Sequence, residues 1–148
     1  MQIQLPNNKT TLVSDEDYDS IKSFKWHIGA KGYVMGWMGG KTPTYLHRFI
    51  MKTPRGYQTD HINGDRLDNR RDNLRVCTAS QNSINHIMNK NNKTGYKGVY
   101  WHKHSQKWVV YVTKNGKQVY GGIFTDVKLA SRARQDLARK LFGDYVPT

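Results

Sequence analysis

The chain has 148 residues, with 24 Lys and Arg against 11 Asp and Glu for a net charge of +13, and a mean hydropathy of −0.81. That length allows one ordinary domain or two small ones and excludes a large multidomain enzyme. The single Cys77 excludes a disulfide framework and a Cys-based zinc ribbon, and no apolar run approaches the roughly 18 residues of a membrane span.

In chain order, Lys9–Val13 reads as a short strand. Ser14, followed by Asp15, Glu16 and Asp17, reads as an N-cap with acids in the first turn of a helix running to about Ser23. Phe24–Ile28 and Gly32–Met38 read as a hairpin around Gly29–Lys31, and Tyr45–Met51 as a short helix carrying His47 and Arg48. From Gln58 a short extended piece ends at Asp60-His61, and a polar loop containing Asn63-Gly64-Asp65 runs to Asp72. Asn73–Cys77 alternates as a strand, and Thr78 with Gln81 three residues on predicts a helix from Ala79 to about Met88.

Charge divides the chain unevenly. Residues 87–120 carry seven Lys and no acid. That stretch opens with a polar run at 89–94 that has nothing to bury, which predicts a linker between a module at 1–88 and a second at 95–148. In the second module Gly95–His102, Lys107–Thr113 and Gln118–Gly121 read as three strands, the last two joined at Asn115-Gly116. Thr125 caps a terminal helix over Asp126–Phe142, with Leu129, Ala133, Leu137 and Leu141 as its apolar stripe, Ala130 and Ala138 beside it, and Gly143 at its end. An excess of this size favours a polyanionic partner, nucleic acid or anionic lipid. The N-terminus lacks the basic flank and apolar stretch of a signal peptide, so a soluble protein of a reducing cytoplasm is expected.

The sharpest local pattern is Asp60-His61-Ile62-Asn63-Gly64-Asp65, then Asp72-Asn73-Leu74-Arg75-Val76-Cys77-Thr78, then Gln81-Asn82, on an expected strand, loop, strand and helix. Taken singly, an Asp-His pair, a turn and a helical Asn are structural features; their order and spacing resemble the HNH nucleases of the ββα-metal class, especially those of phage and homing endonucleases, over about Tyr45 to Met88. Phosphodiester hydrolysis needs a deprotonated water and a cation to hold the charge that develops. A neutral imidazole can take the water's proton, and carboxylate and amide oxygens suit Mg²⁺. The resemblance makes His61 the general base, Asp60 and Asn82 the ligands of one Mg²⁺ or Mn²⁺ per site, and Asn73 the residue that orients the loop holding His61. Asn85 and His86 share the helix face of Asn82 and are alternatives; His47 is read as packing behind the site.

The run Gly95-Tyr96-Lys97-Gly98-Val99, with Trp108 to Val112, Tyr120 to Phe124, Ala130 and Ala133, resembles an AP2 domain, a three-stranded antiparallel sheet packed on one helix. That resemblance implies a sheet in the major groove, with Lys97, Tyr100, His102, Tyr111, Thr113, Gln118 and Tyr120 facing outward. Lys103, Lys107, Lys114 and Lys117 stand at strand ends or turns, where they suit phosphate. Trp26, Tyr33 and Trp37 are read as core rather than as a DNA surface. The expectation is therefore an α+β chain: an HNH unit (ββα core about 58–88) with a small β/α segment before it, then an AP2-like reader. It would nick double-stranded DNA as a monomer or cut both strands as a homodimer, in the cytoplasm of a bacterial host if phage-encoded, with no membrane and no protein partner. An inactive DNA-binding regulator is the alternative, and an RNA-binding accessory protein a weaker one, since A-form duplexes give a major-groove sheet little purchase.

Overall fold

Val13, Ile21, Val34 and Leu46 expose no surface at all, and they come from four different elements, so the apolar spacing of the first half converges on one core. The computed structural model describes residues 1–6, 8–85, 92 and 94–146, and the chain falls into two units, Met1–Ala79 and Ser80–Thr148. In chain order the first contains β1 (Gln2–Leu5), β2 (Lys9–Val13), α1 (Asp15–Ile21), β3 (Trp26–Ile28), β4 (Val34–Gly36), β5 (Thr44–Tyr45), α2 (Leu46–Ile50), β6 (Gln58–His61), β7 (Asp68–Asn69), a 3-10 turn at Arg71–Asn73, and β8 (Leu74–Cys77). Three small sheets result, ordered β1-β2-β7, β3-β4-β5 and β6-β8. The mixed α+β class read from the sequence is the class observed.

Two of these elements carry no sequence signal of their own. β1 was not expected, and β7 is a two-residue piece of the expected loop that joins β2 in parallel, Leu12 opposite Asp68 and Val13 opposite Asn69. Ser14 precedes α1 with an extended backbone but makes no side-chain cap bond. Its hydroxyl instead accepts from the Arg71 amide at 2.9 Å, and the Arg71 guanidinium clasps Asp17 at 2.7 and 2.8 Å. Trp26 is core, 4% exposed, with its indole nitrogen donating to the Ile21 carbonyl. Trp37 is not: it is 55% exposed, beyond the end of β4, where the hairpin turns toward a Gly-rich stretch.

The second unit takes in α3 (Ala79–Asn85) from Ser80 onward, then β9 (Val99–His102), β10 (Lys107–Lys114), β11 (Lys117–Phe124) and α4 (Val127–Phe142). The units divide ahead of the polar run because Ile84 is buried among Val112, Ala138 and Phe142. Of the run at 89–94, only Asn92 and Thr94 are described. β10 is the central strand of an antiparallel sheet ordered β11-β10-β9. Asn115 and Gly116 both have positive φ, 51° and 78°, the geometry of a two-residue primed turn.

α4 differs from expectation at its start and in its rotation. Asp126, not Thr125, is the N-cap; its carboxylate accepts from the Leu129 amide at 2.9 Å. The buried stripe is Ala130, Arg134, Ala138 and Phe142, while Leu129 is 52% exposed. Small side chains decide this rotation. With Ala130 and Ala138 against the sheet the helix backbone comes close, and a Cβ on Gly121 of β11 would lie 3.0 Å from Leu137 and 2.5 Å from Val110.

Gly98 shows the same tightness at the entry to β9. Its φ is +69°, and a Cβ there would sit 2.6 Å from the Tyr111 carbonyl, which is backbone and cannot turn aside; Gly116 has a similar φ and nothing within 4 Å. Gly116→Ala is therefore expected to cost only the left-handed strain of about 1–2 kcal/mol, and Gly98→Ala a further 1–3 kcal/mol or so of overpacking. Urea unfolding of the two variants side by side checks the difference, and equal losses would contradict it.

Candidate active site

β6 and β8 pair antiparallel with Asp60 opposite Arg75 and His61 opposite Leu74. The strand's period of two sends neighbouring side chains to opposite faces, so Asp60 and His61, adjacent in sequence, meet different surroundings. The Asp60 Oδ2 is gripped by Arg75 through Nε at 3.0 Å and Nη2 at 2.8 Å. His61, 4% exposed, lies against an aromatic group instead: Tyr33 at 6.0 Å and His47 at 5.1 Å between ring centroids, with Tyr45 stacked on His47 at 5.4 Å. Its Nε2 lies 3.2 Å from the Asn69 Oδ1.

The loop from β6 to β8 is polar because it is built from side-chain turns. Asn63 Oδ1 accepts from the Asp65 amide and Asp65 Oδ1 from the Leu67 amide, the local bonding that Asn and Asp favour in turns. Asn73 ties the loop shut: its Oδ1 accepts from the Asn63 amide at 3.0 Å and its Nδ2 donates to the Asp68 carbonyl at 2.8 Å. Asp68 is held by Arg70 at 2.7 and 2.8 Å, and that guanidinium keeps the Asp68 carboxyl below its ordinary range.

Burial pushes the His61 imidazole below its ordinary pKa, against the opposing pull of its bond to Asn69 and of the carboxylates of Asp60, Asp65 and Asp68. The ring is therefore neutral at neutral pH and able to accept a proton. Burial also lowers His47, to about 3, with His61 and Arg48 adding to the effect, and its Nδ1 has no hydrogen-bond partner among the described residues.

The remaining expected ligands come from the next helix. Asn82 and Asn85 lie on α3, which is described with the second unit, and His86 lies outside the described residues. Among the described residues no group of three or more His, Cys, Asp and Glu stands ready for a metal. The nearest soft donor is unsuitable, since burial first and Asp60 second push the Cys77 thiol up to about 11. The oxygens of Asp60 and of the loop after β6 suit a hard divalent cation and not a thiolate-bound one.

In the second unit, six expected outward residues do share one face of the sheet. The register sets Tyr100 opposite Val109 opposite Ile123, Tyr111 opposite Tyr120, Thr113 opposite Gln118, and Lys107 opposite His102. Tyr100 and Tyr120 are more than half exposed. Val109 belongs to the same face by the alternation that groups it with Tyr111 and Thr113, and Ile123 joins it because one extra residue in β11, a bulge opposite Val110/Tyr111, resets the alternation there. Lys97 is a correction. Gly98, at positive φ, breaks the alternation ahead of β9, and the Lys97 ammonium turns to the Ser83 and Ile84 carbonyls at 2.7 and 3.1 Å. Burial there, with Arg134 adding to it, lowers it to about 8.

A family model described as HNH endonuclease matches residues 45–84, from the last residue of β5 into α3. An uncharacterized HNH endonuclease of Acanthamoeba polyphaga mimivirus is 30% identical over 140 residues, covering 90% of this chain and 71% of that protein. The chain belongs to the HNH endonuclease family. Protein 3.8 of Escherichia phage T7 is 43% identical over 65 residues, 44% of this chain and 54% of that protein. No solved structure matches the chain at a significant level. Membership supports a nuclease acting on DNA, in a family that generally uses a divalent metal, and Asp60, His61, Asn73 and Asn82 fall within the matched residues.

His47 gives this HNH endonuclease an acid-sensitive core. In the unfolded chain a histidine takes up a proton below about pH 6.5, but the folded protein refuses it until about pH 3. The unfolded state thus binds more protons across that window, so stability is full above about pH 6.5 and falls as the pH drops toward 3. His47→Phe, which keeps a ring against Tyr45, is expected to flatten the decline seen in urea unfolding at stepped pH. An unchanged slope would remove His47 as its source.

Proposed function

We propose that the protein hydrolyses one phosphodiester bond of double-stranded DNA per active site, with His61 as general base. The observation that carries this reading is a buried, neutral imidazole at the end of β6, next in sequence to Asp60 and backed by the loop that Asn73 closes. In this scheme the imidazole takes a proton from a water, the water oxygen forms a bond to phosphorus, and the bond from phosphorus to the leaving sugar oxygen breaks. Enclosure keeps competing water away from the base. Asp60 and Asn82 are the proposed holders of one Mg²⁺ or Mn²⁺, with Asn85 as the alternative ligand. That cation, when bound, supplies charge for the developing phosphorane and leaving oxygens. Arg75 already compensates the Asp60 charge, and an ion such as Mg²⁺, if held there, would leave positions for phosphate oxygens. Asn73 orients the loop, and His47 packs behind the base.

The second unit is the proposed reader, an AP2-like sheet offering Tyr100, His102, Tyr111, Thr113, Gln118 and Tyr120 to the major groove, with Lys103 and Lys107 on phosphates. With one site per chain, a monomer nicks and a dimer cuts both strands. A second reading, a DNA-binding regulator without activity, has one feature in its favour: the Arg75 clamp neutralises the carboxylate that a metal would need.

Plasmid nicking with Mg²⁺ separates the two. Active wild-type protein is expected, with His61→Ala slower by about 10²–10⁴-fold at unchanged DNA affinity; near-full turnover by that variant would end the base assignment. The Tyr100→Ala/Tyr120→Ala double variant is expected to behave in the opposite way, losing affinity and site preference while its turnover on saturating DNA persists. Unchanged affinity would show that the sheet is not the reader.

A further inference from the structure

The hydrogen bonds behind His61 have their direction fixed by a backbone carbonyl, and that direction decides which ring nitrogen holds the proton. The Leu67 carbonyl can only accept, so Thr11 Oγ1, 2.7 Å away, gives it its one proton. The same hydroxyl oxygen must then accept at its other contact, and there Asn69 Nδ2 stands at 2.8 Å. Asn69 Nδ2 also faces the Arg66 carbonyl at 3.3 Å, again a pure acceptor. Both contacts assign the NH₂ end of the Asn69 amide, which otherwise could be placed either way round. The amide oxygen is thereby turned to His61 Nε2 at 3.2 Å.

An amide oxygen has no proton to give. In a neutral ring, Nε2 must therefore carry the hydrogen, and Nδ1 carries the lone pair. The opposite tautomer would set two lone pairs against each other at a site where neither Asn69 nor Thr11 has any exposed surface, so no water can step in between. We infer that Asn69, held by Thr11, is a positioning residue that fixes the Nε2–H tautomer of His61 and so makes Nδ1 the nitrogen that receives a proton from water. This rests on the reading of His61 as general base. It gives a role to β7, whose two-residue parallel pairing with β2 sets Asn69 opposite Val13 and within reach of Thr11, two residues back along β2.

The test uses the full chain with ¹⁵N-labelled histidine and a long-range ¹H–¹⁵N spectrum, recorded where His61 is neutral. Nε2 is expected in the protonated, pyrrole-like range and Nδ1 in the unprotonated, pyridine-like range; a wild-type ring protonated at Nδ1 overturns the inference without any variant. Asn69→Leu, which offers no acceptor, is expected to lose the single tautomer and to nick about 10–100-fold more slowly with DNA affinity unchanged. Asn69→Asp keeps an acceptor oxygen toward Nε2 but gives up the donor to Thr11 and the Arg66 carbonyl, and is expected to retain the Nε2–H tautomer at a cost in stability. An Asn69→Leu protein that folds and keeps both the Nε2–H signal and the wild-type rate overturns the inference. A variant that loses the tautomer but not the rate upholds Asn69's hold on the ring and overturns instead the base assignment, which the His61→Ala nicking rate tests separately.

Discussion

Asn73 holds one loop at three points of its main chain, and the way β6 meets that loop follows from this. Its carbonyl accepts from the Ile62 amide at 2.9 Å, its side-chain oxygen from the Asn63 amide, and its side-chain NH₂ donates to the Asp68 carbonyl. These groups lie at the edge of a small core, where unpaired backbone polar atoms are costly. A hydrophobic side chain at 73 could fill the space but would leave two of the three unpaired. Closing the loop at Asn63 and Asp68 also delivers Asn69 to β2. The loop thus carries two buried amides doing different tasks: Asn73 fastens the chain on either side of its turn, and Asn69 reaches back to the ring of His61.

This explains what was legible in the sequence and what was not. Local chemistry was legible: β2 spans Lys9–Val13 as read, the Asn63-Gly64-Asp65 turn bonds as such residues do, and β6 ends at Asp60-His61. Asn73 stood out because its spacing from His61 follows a known pattern. Asn69 did not, because nothing in Leu67-Asp68-Asn69-Arg70 alternates or caps; its importance comes from Thr11, fifty-eight residues earlier in the chain, and a long-range hydrogen bond leaves no local trace. The exposure of Trp37 was hidden for a related reason. Strand spacing gives a face but does not say whether anything lies across from it.

In the second unit the misreadings share one cause, the small residues. Counting Leu129, Ala133, Leu137 and Leu141 as the buried stripe of α4 weights side-chain bulk, whereas the helix turns its alanines to the sheet and buries Ala130 and Ala138 completely. Close approach wins because flush packing of backbone against Val110 and Gly121 fills space that a leucine would have to force open. Lys97 and the bulge in β11 follow the same logic. Gly98 and the Gly121-Gly122 pair let the chain depart from strict alternation, and wherever it does, a count by twos assigns the following side chain to the wrong face.

The distribution of charge then gives the two units different electrostatic characters. The first carries twelve basic and eight acidic residues, +4, and the second twelve and three, +9. In the first, three arginines are already matched: Arg70 by Asp68, Arg71 by Asp17 and Glu16, Arg75 by Asp60. A cluster that keeps its imidazoles neutral and these arginines paired projects little field toward a polyanion, so the stronger attraction for one belongs to the second unit. Even there the count overstates the supply. Lys97 sits on the Ser83 and Ile84 carbonyls and Lys114 on the Leu141 carbonyl, satisfying the acceptors at the ends of α3 and α4. An ammonium already engaged this way releases few counterions on meeting a phosphate. The counterions that a polyanion would displace therefore lie around the exposed Lys103, Lys107 and Lys117, and in the proposed reading these reach phosphates while Tyr100 and Tyr120 meet the bases.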